Sequence, residues 1–182
     1  MKNHKYKSYA EYTKAQIDGY VKKYGNVWAD AENLKFIAGM VPATASSGLC
    51  HGVRNGFEIK VFAAALPDCL ITGTEIGVPI EKFIVQWDFN KVNPAWIGRF
   101  DFIYSNSWDH AYDIAATLNV WTDQLRPGGR MFLEHSDQHV KATKLDPTGM
   151  TAAELAGLLP GSKIIDLPVV KNNRKVICYE KK

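Results

Sequence analysis

The sequence predicts a single α/β domain whose mostly parallel β-sheet carries helices on both faces. Short apolar runs alternate along the chain with segments whose apolar residues recur at helical spacing, and this alternation is typical of parallel sheets. A turn with two glycines links the first apolar run of the sheet to the helix that follows it. The chain of 182 residues, 46% of them hydrophobic, is large enough for one hydrophobic core.

Two helices are predicted ahead of the first strand. Ser8 and Glu11 have the spacing of a capping box that opens the first of them, and a second is predicted over residues 31–41. Residues 1–44 should therefore cover the sheet or its site, and residues 45–182 should form the core. Four tyrosines of the first helix are expected to pack, or in one case to cover a pocket: Tyr9, Tyr12, Tyr20 and Tyr24.

The first half of the core is predicted as strand, helix and strand. The apolar run 47–51 is the first strand, and the run 69–74 is the second. Between them, Ile59 and Phe62 lie on one face of a helix predicted over 57–66, which a proline follows.

Three further strands and a long helix are predicted next. The runs 83–87 and 100–105 form the third and fourth strands. A helix follows over 111–125, because its apolar residues form a continuous stripe. The sequence Arg-Pro-Gly-Gly at 126–129 predicts a turn, and 130–134 is the fifth strand.

The C-terminal part is predicted as a helix and a hairpin. A capping box opens the helix over 151–159. The runs 163–170 and 175–179 flank Asn172 and Asn173, a pair that favours a tight hairpin turn. This hairpin should add one antiparallel strand to the sheet.

Charge and cysteine content favour a cytoplasmic enzyme or binding domain. The formal net charge is only +3, and much of the basic excess lies at the chain ends, so nucleic acid is a less favoured partner than a small molecule. The three cysteines are far apart and lack metal-ligand spacing, as in a reducing compartment. No signal peptide and no apolar run of membrane length is recognised, so no membrane partner is expected. Nothing in the sequence favours one oligomeric state.

The glycine-containing turn predicts a nucleotide-binding site. Gly52 and Gly56 enclose Arg54 and precede a helix, and Glu75 follows about twenty positions later at the end of the second run. Glycines allow close approach of the backbone, the helix N-terminus offers free N–H groups, and the acid can accept from ribose hydroxyls. The alternatives are a simple turn and a solvated acid at a strand end.

Taken together, residues 45–180 resemble the class I S-adenosylmethionine-dependent methyltransferases. Beyond the glycine turn, the resemblance is carried by residues 86–89, by the strand 100–105 with the polar residue after it, and by the turn at 125–131. It implies a Rossmann-like three-layer sandwich with a mostly parallel seven-stranded sheet, and S-adenosylmethionine as the cofactor.

The resemblance also implies which residues contact the cofactor. They are Gly52, Arg54, Asn55, Gly56, Glu75, Ile76, Asp88, Phe89 and Asn106. Asp88 could instead cap the next turn, and Phe89 could belong to the core. Two positions depart from the family pattern, because Cys50 stands where an acid is usual and Arg54 replaces the middle glycine. A guanidinium at Arg54 suits a carboxylate, either on the cofactor or on a neighbouring loop.

Asp109 and His110 are the predicted catalytic residues. They follow the fourth strand, where the resemblance places methyl transfer, and a carboxylate beside a histidine can orient the imidazole or share its proton. Asp109 could instead cap the helix near Ala111, and Glu134 with His135 has a similar ambiguity.

A metal site is the other interpretation of the acids and histidines in this region. Carboxylates and imidazoles together can hold a divalent ion, but no tight ligand motif occurs, and no metal is expected. The residues considered for it are Asp109, His110, Glu134, His135, Asp137 and His139.

The expected function is therefore methyl transfer from S-adenosylmethionine to a small polar acceptor such as a sugar or glycan precursor. Three alternatives stay open. The acceptor could be nucleic acid or protein, or the chain could bind S-adenosylmethionine or a partner without catalysis. A nicotinamide-dependent reductase is disfavoured, because the glycine three residues after the second one has no equivalent here.

Overall fold

The computed structural model describes residues 1–169 and 172–182. The helices are α1 (Tyr9–Lys23), α2 (Ala31–Ala38), α3 (Phe57–Ala65), α4 (Ile114–Gln124) and α5 (Ala152–Gly157). The strands of the main sheet are β1 (Ser47–His51), β2 (Leu70–Glu75), β3 (Ile84–Gln86), β4 (Phe100–Ser105), β5 (Leu125–His135), β6 (Lys163–Asp166) and β7 (Lys175–Glu180). Short 3₁₀ turns lie at Pro94–Trp96, Trp108–His110 and Asp137–Val140, and Lys2–Asn3 pairs with Thr148–Gly149.

The seven strands form one sheet in the order β3-β2-β1-β4-β5-β7-β6. Strands β1 to β5 run parallel, and β7 lies antiparallel between β5 and β6. The predicted fold class, a mostly parallel sheet with a terminal antiparallel hairpin, is confirmed. Chain order reverses between β1 and β4, which opens a crevice beyond the carboxyl ends of these two strands.

Two hydrophobic clusters cover the two faces of the sheet. Phe102 packs with Leu34 of α2 and Phe62 of α3 on one face. The next residue, Ile103, packs with Trp121 of α4 on the opposite face, because successive side chains of a strand alternate. These clusters make the three layers, and they leave the carboxyl ends of the strands for α1 to cover.

Helix α1 crosses the carboxyl ends of the strands and is fixed there by side-chain hydrogen bonds. Its N-cap is Ser8, which accepts from the Glu11 backbone N–H as predicted. The Tyr12 hydroxyl donates to the His110 carbonyl at 3.1 Å, and the Tyr20 hydroxyl donates to the Val78 carbonyl at 3.0 Å. Helix α1 thus lies over the strand ends, whereas α2 packs on one face of the sheet.

Several predicted boundaries differ from the structure. Helix α2 ends at Ala38 rather than at 41, because Gly39 is a weak helix former. Helix α4 begins at Ile114 rather than at 111, because Asp113 is its N-cap and accepts from the Ala116 N–H at 3.1 Å. Asp109 therefore does not cap this helix.

Strand β5 contains the turn that was predicted to precede it. Leu125 pairs with Phe100 and Arg130 pairs with Phe102, so residues 126–129 loop out of the ladder. Strands β2 and β3, at 70–75 and 84–86, also differ from their predicted limits by one residue at their ends.

The predicted tight hairpin near the C-terminus is wrong in length. Asn172 and Asn173 both have positive φ, 61° and 52°, as that turn requires. However, β6 ends at Asp166 rather than at 170, and β7 begins at Lys175 as predicted, so the connection is longer than the predicted 171–174. The predicted strand end at residue 170 lies outside the described residues.

In the part of the chain that the structure describes, none of the helices has the length and apolar character needed to cross a bilayer.

We expect Gly48→Ala to destabilise the protein by roughly 1–3 kcal/mol, the usual cost of overpacking a core. A Cβ at Gly48 would lie 2.3 Å from Cε1 of Phe102, whose ring is fully buried and cannot easily move. Urea unfolding measures the loss. The control is Gly157→Ala in α5, where an added Cβ meets no described atom within 4 Å, and an equal loss in both variants would contradict this account.

Candidate functional site

Two neighbouring cavities lie at the carboxyl ends of the parallel strands, beneath α1. The large cavity has a volume of about 120 Å³ and is lined in part by Asn55, Glu58, Asn106, Asp109, His139 and Arg174. The small cavity has a volume of about 40 Å³ and is lined in part by Tyr12, Tyr20, Glu75, Ile76, Asp88 and Phe89. Both are lined by Lys23, Gly52, Arg54, Ser107 and His110, so they adjoin each other.

All predicted site residues except Gly56 line one of these cavities. Gly56 has a φ of 73°, and a Cβ there would lie 2.6 Å from Cε2 of Phe83. Its conformation and its packing therefore account for the glycine without a ligand, as the turn alternative expected.

The loop after β1 is held by the carboxylate of Glu75. Arg54 has a φ of 47°, which is unfavourable for a residue with a side chain. Its backbone N–H donates to Oε2 of Glu75 at 2.9 Å, and the Ile76 N–H donates to Oε1 at 2.8 Å. Glu75 is only 8% exposed, so the alternative of a solvated acid at a strand end is wrong. Burial raises the pKa of Glu75, against the effect of these N–H donors.

Three side chains from residues 45–182 donate hydrogen bonds to the segment between α1 and α2, which lines the large cavity. The Arg54 guanidinium donates to the Asn26 carbonyl at 3.2 Å, and the Asn55 amide donates to the Tyr24 carbonyl at 3.0 Å. Arg174 donates to the Trp28 carbonyl at 2.6 Å. Arg54 thus contacts a carbonyl of this segment, rather than a carboxylate of a neighbouring loop.

Asp88 and Phe89 both have structural contacts of their own. Oδ2 of Asp88 accepts from the Tyr9 hydroxyl at 2.5 Å, and Oδ1 accepts from the Asn90 N–H at 3.0 Å. The turn-capping alternative for Asp88 is therefore realised. Phe89 packs edge-on against Trp121 at 5.2 Å, so it belongs to the core and also lines the small cavity.

Gln16 of α1 fixes the tautomer of His110. The Gln16 amide nitrogen donates to the Leu145 carbonyl at 3.1 Å, which turns its oxygen toward Nδ1 of His110 at 2.8 Å. Since an amide oxygen only accepts, Nδ1 carries the proton, and Nε2 of a neutral His110 keeps its lone pair. Nε2 lies 3.3 Å from Oδ1 of Asp146 and 3.9 Å from Oδ1 of Asp109.

These three atoms form a cluster that can take up a proton. Burial raises the pKa of Asp109 to about 6, and Oδ1 of Asp109 is buried without a hydrogen-bond partner among residues 1–169 and 172–182. Burial lowers the pKa of His110, while the charges of Asp109 and Asp146 oppose that shift. At neutral pH a deprotonated Nε2 is therefore favoured, and nearby carboxylates can stabilise the imidazolium formed when it accepts a proton.

Of the residues predicted for a metal site, only Asp109 and His110 belong to the cluster of possible ligand atoms found among the described residues. One ligand-type atom each from Asp109, His110 and Asp146 lie within 4.8 Å of one another, and Asp146 was not predicted. Nζ of Lys23 lies 3.9 Å from Oδ1 of Asp146 and already supplies a positive charge beside this cluster. The absence of a metal stays a prediction.

Glu134 and His135 are engaged in contacts of their own. Glu134 accepts from Arg174 and, at 2.8 Å, from the Tyr104 hydroxyl, so its charge is paired. Nε2 of His135 lies 3.0 Å from the Met150 carbonyl. Arg174 and Tyr104 thus occupy the Glu134 carboxylate, and His135 lines neither cavity.

Glu58 is the main residue that the sequence analysis missed. It lies in the first turn of α3, is only 7% exposed, and lines the large cavity. Oε1 accepts from the Asn106 amide at 3.3 Å, whereas Oε2 is buried and has no hydrogen-bond partner within the described ranges. A signal was present, because Glu58 shares a helix face with the core residue Phe62, and a charge is unusual there.

No protein-family model and no curated protein matches this sequence. The similarity lies instead in the three-dimensional structure. A 1,6-didemethyltoxoflavin-N1-methyltransferase from Burkholderia thailandensis, solved with 1,6-didemethyltoxoflavin and S-adenosylhomocysteine, has a TM-score of 0.74 and 18% identity. The match covers 99% of this chain and 93% of that one.

Two further solved structures are similar over nearly their whole length. The N-methyltransferase NodS from Bradyrhizobium japonicum, in complex with S-adenosylhomocysteine, has a TM-score of 0.66 and 13% identity over 92% of this chain and 98% of its own. The sugar N-methyltransferase KedS8 from Streptoalloteichus has a TM-score of 0.63 and 14% identity over 91% and 92%. With its strand order and the crevice at the β1–β4 reversal, this chain has the Rossmann-like fold of the class I S-adenosylmethionine-dependent methyltransferases.

Proposed function

We propose that this protein is an S-adenosylmethionine-dependent methyltransferase that acts on a small polar acceptor. The observation that carries the proposal is the pair of adjoining cavities at the strand reversal, with a buried acid in one and a tautomer-fixed histidine at their junction. The similar structures solved with S-adenosylhomocysteine support the choice of cofactor.

In this proposal the small cavity holds the adenosine part of the cofactor. Glu75 can accept from the ribose hydroxyls, because its carboxylate is already positioned by the loop that it holds. Asp88 can accept from the adenine amino group while it also accepts from the Tyr9 hydroxyl. Ile76 and Phe89 provide apolar contact.

The methionine part then extends past Gly52 into the large cavity. A Cβ at Gly52 would lie 2.7 Å from Cβ of Ser107, so the narrow passage between β1 and β4 requires a residue without a side chain. Arg54, with guanidinium donors beyond its bond to Asn26, can bind a carboxylate there.

The residues around His110 would perform the proton chemistry. S-adenosylmethionine, when bound, supplies a methyl group attached to a positively charged sulfur. Nε2 of His110 is the group that accepts the proton lost by the acceptor, Gln16 keeps that nitrogen unprotonated beforehand, and Asp109 and Asp146 stabilise the resulting imidazolium. Proximity and orientation supply the rest of the rate enhancement.

The shape and charge of the large cavity favour a small polar acceptor. Basic and acidic side chains both line it, which suits hydroxyl-rich or amine-bearing molecules such as a sugar or glycan precursor. The segment between α1 and α2 is held above the cavity, which disfavours a nucleic acid or a folded protein. The positioned proton acceptor argues against a purely binding role.

We place this activity in the cytoplasm. The cysteines Cys50, Cys69 and Cys178 are free thiols, and Cys50 and Cys69 are buried. Unpaired thiols are typical of a reducing compartment.

The first expected result is that S-adenosylhomocysteine binds with a Kd near the micromolar range, roughly −8 kcal/mol, and NAD does not. Isothermal titration calorimetry measures both ligands, and the melting temperature should rise with S-adenosylhomocysteine through mass action. Turnover is then measured as S-adenosylhomocysteine release with panels of sugars, oligonucleotides and peptides. A folded protein that binds no S-adenosylhomocysteine would contradict the proposal.

Glu75→Gln should weaken S-adenosylhomocysteine binding by roughly 1.5–3 kcal/mol, the value of a hydrogen bond to a charged group. It should also lower stability somewhat, since one oxygen that accepts a loop N–H is replaced by an NH₂ group. Calorimetry and urea unfolding separate the two effects. The control is Glu81→Gln, a partly exposed glutamate near the sheet edge, and unchanged affinity in Glu75→Gln would remove Glu75 from the ribose site.

His110→Ala should keep cofactor affinity but lower kcat by about 10²- to 10⁴-fold, as expected for a general base. The wild-type rate should fall as pH drops through the His110 pKa, which burial holds below its ordinary value, because an imidazolium cannot accept a proton.

Asp109→Asn separates the titration of Asp109 from that of His110. The fall in rate at low pH should persist without Asp109 and disappear without His110. The rates are measured with the acceptor found in the panel. Normal turnover by His110→Ala would exclude the catalytic role, and loss of stability alone would assign His110 to packing.

A further inference from the structure

Glu58 presents a buried carboxylate oxygen to which no group in the described residues donates. Oε1 accepts one long hydrogen bond from Asn106, and Oε2 is buried with no partner in the described part of the chain. Leaving a buried charged acceptor unsatisfied is costly, and groups retained at such a cost commonly meet a ligand. Because Glu58 lines the large cavity, the partner of Oε2 should be a hydrogen-bond donor that enters this cavity.

Among residues 1–169 and 172–182, no cation is paired with Glu58. Arg54 is close enough to lower the pKa of Glu58, but its guanidinium donates to the Asn26 carbonyl. Glu134 raises the pKa of Glu58 and is itself paired with Arg174. The other titratable groups close to Glu58 are Cys50 and Tyr104, whose own pKa values its charge raises.

We propose that Glu58 binds the α-ammonium group of the cofactor's methionine end, while Arg54 binds its carboxylate. This inference rests on the proposed function. An amino acid zwitterion needs one anion and one cation side by side, and these residues stand four positions apart across the start of α3, both on the wall of the large cavity. Cys50, where the family pattern has an acid, is fully buried in the core and does not line either cavity.

The protonation of Glu58 agrees with this assignment. Burial raises the pKa of Glu58 to about 7, so a share of the side chains carry a proton at neutral pH before ligand enters. An ammonium group stabilises the carboxylate form, so binding should release that proton. A ligand without the ammonium group should release fewer protons.

The test compares two ligands on two proteins by isothermal titration calorimetry. The ligands are S-adenosylhomocysteine and its analogue in which hydrogen replaces the α-amino group, and the proteins are wild type and Glu58→Gln. Wild type should bind S-adenosylhomocysteine about 10- to 100-fold tighter than the analogue, the range expected for a charge-assisted hydrogen bond. Glu58→Gln should lose most of that preference by binding S-adenosylhomocysteine more weakly, with little change for the analogue.

The matched control is Glu81→Gln, which removes a partly exposed glutamate and should keep the full preference of wild type for the amino group. Circular dichroism and the melting temperature verify that each variant is folded. If Glu58→Gln does not fold, the wild-type protein still tests the assignment. Titrations in two buffers of different ionisation enthalpy count the protons released on binding. More protons should leave with S-adenosylhomocysteine than with the analogue.

Three results would overturn the assignment. Wild type could bind both ligands equally, Glu58→Gln could weaken both equally, or Glu58→Gln could bind S-adenosylhomocysteine normally and lose only turnover, which would assign Glu58 to the acceptor. In each of these results the cofactor still binds, so the proposed function survives. If wild type binds neither ligand, the proposed function fails together with the assignment.

Discussion

The hydrogen bonds accepted by the Glu75 carboxylate hold the site together. They tie the end of β2 to the loop after β1, where Arg54 has an unfavourable positive φ. That conformation turns the chain from β1 into α3 within a few residues. It therefore sets the positions of the Arg54 side chain and of the first turn of α3 on the wall of the large cavity. The buried Glu75 thus stabilises the loop when no ligand is bound, and in our proposal it also binds the ribose of the cofactor.

Helix α1 contributes more to the site than a cover. Gln16 sets the tautomer of His110, and the Tyr9 hydroxyl donates a hydrogen bond to the Asp88 carboxylate. Both contacts join residues about 80 or more positions apart in the sequence. The N-terminal segment lies outside residues 45–180, which carry the sequence resemblance, yet it fixes the tautomer of the proposed general base. A change in α1 can therefore alter both the tautomer of His110 and the proposed adenine contact at Asp88.

The predictions from the sequence agree best with the structure where the pattern of neighbouring residues determines an element. β1 and β4 have the predicted limits, because each is a compact apolar run bounded by turns. Apart from Gly56, the predicted site residues line two adjoining cavities, since the carboxyl ends of parallel strands meet at one edge of the sheet. Gln16, Asp146 and Arg174 were not predicted, because each enters the site from an element distant in sequence.

The sequence by itself determined the fold class and the position of the nucleotide-type loop, because periodicity and glycine spacing depend on neighbours a few residues apart. The tertiary structure alone decided that Glu75 is buried and that Nε2 of His110 keeps its lone pair. It also decided that Oε2 of Glu58 has no hydrogen-bond partner among the residues described. Burial and hydrogen-bond partners depend on which distant elements pack together. Protonation follows from them, because the pKa of a carboxyl or imidazole is set by the solvent and charges that packing removes or supplies.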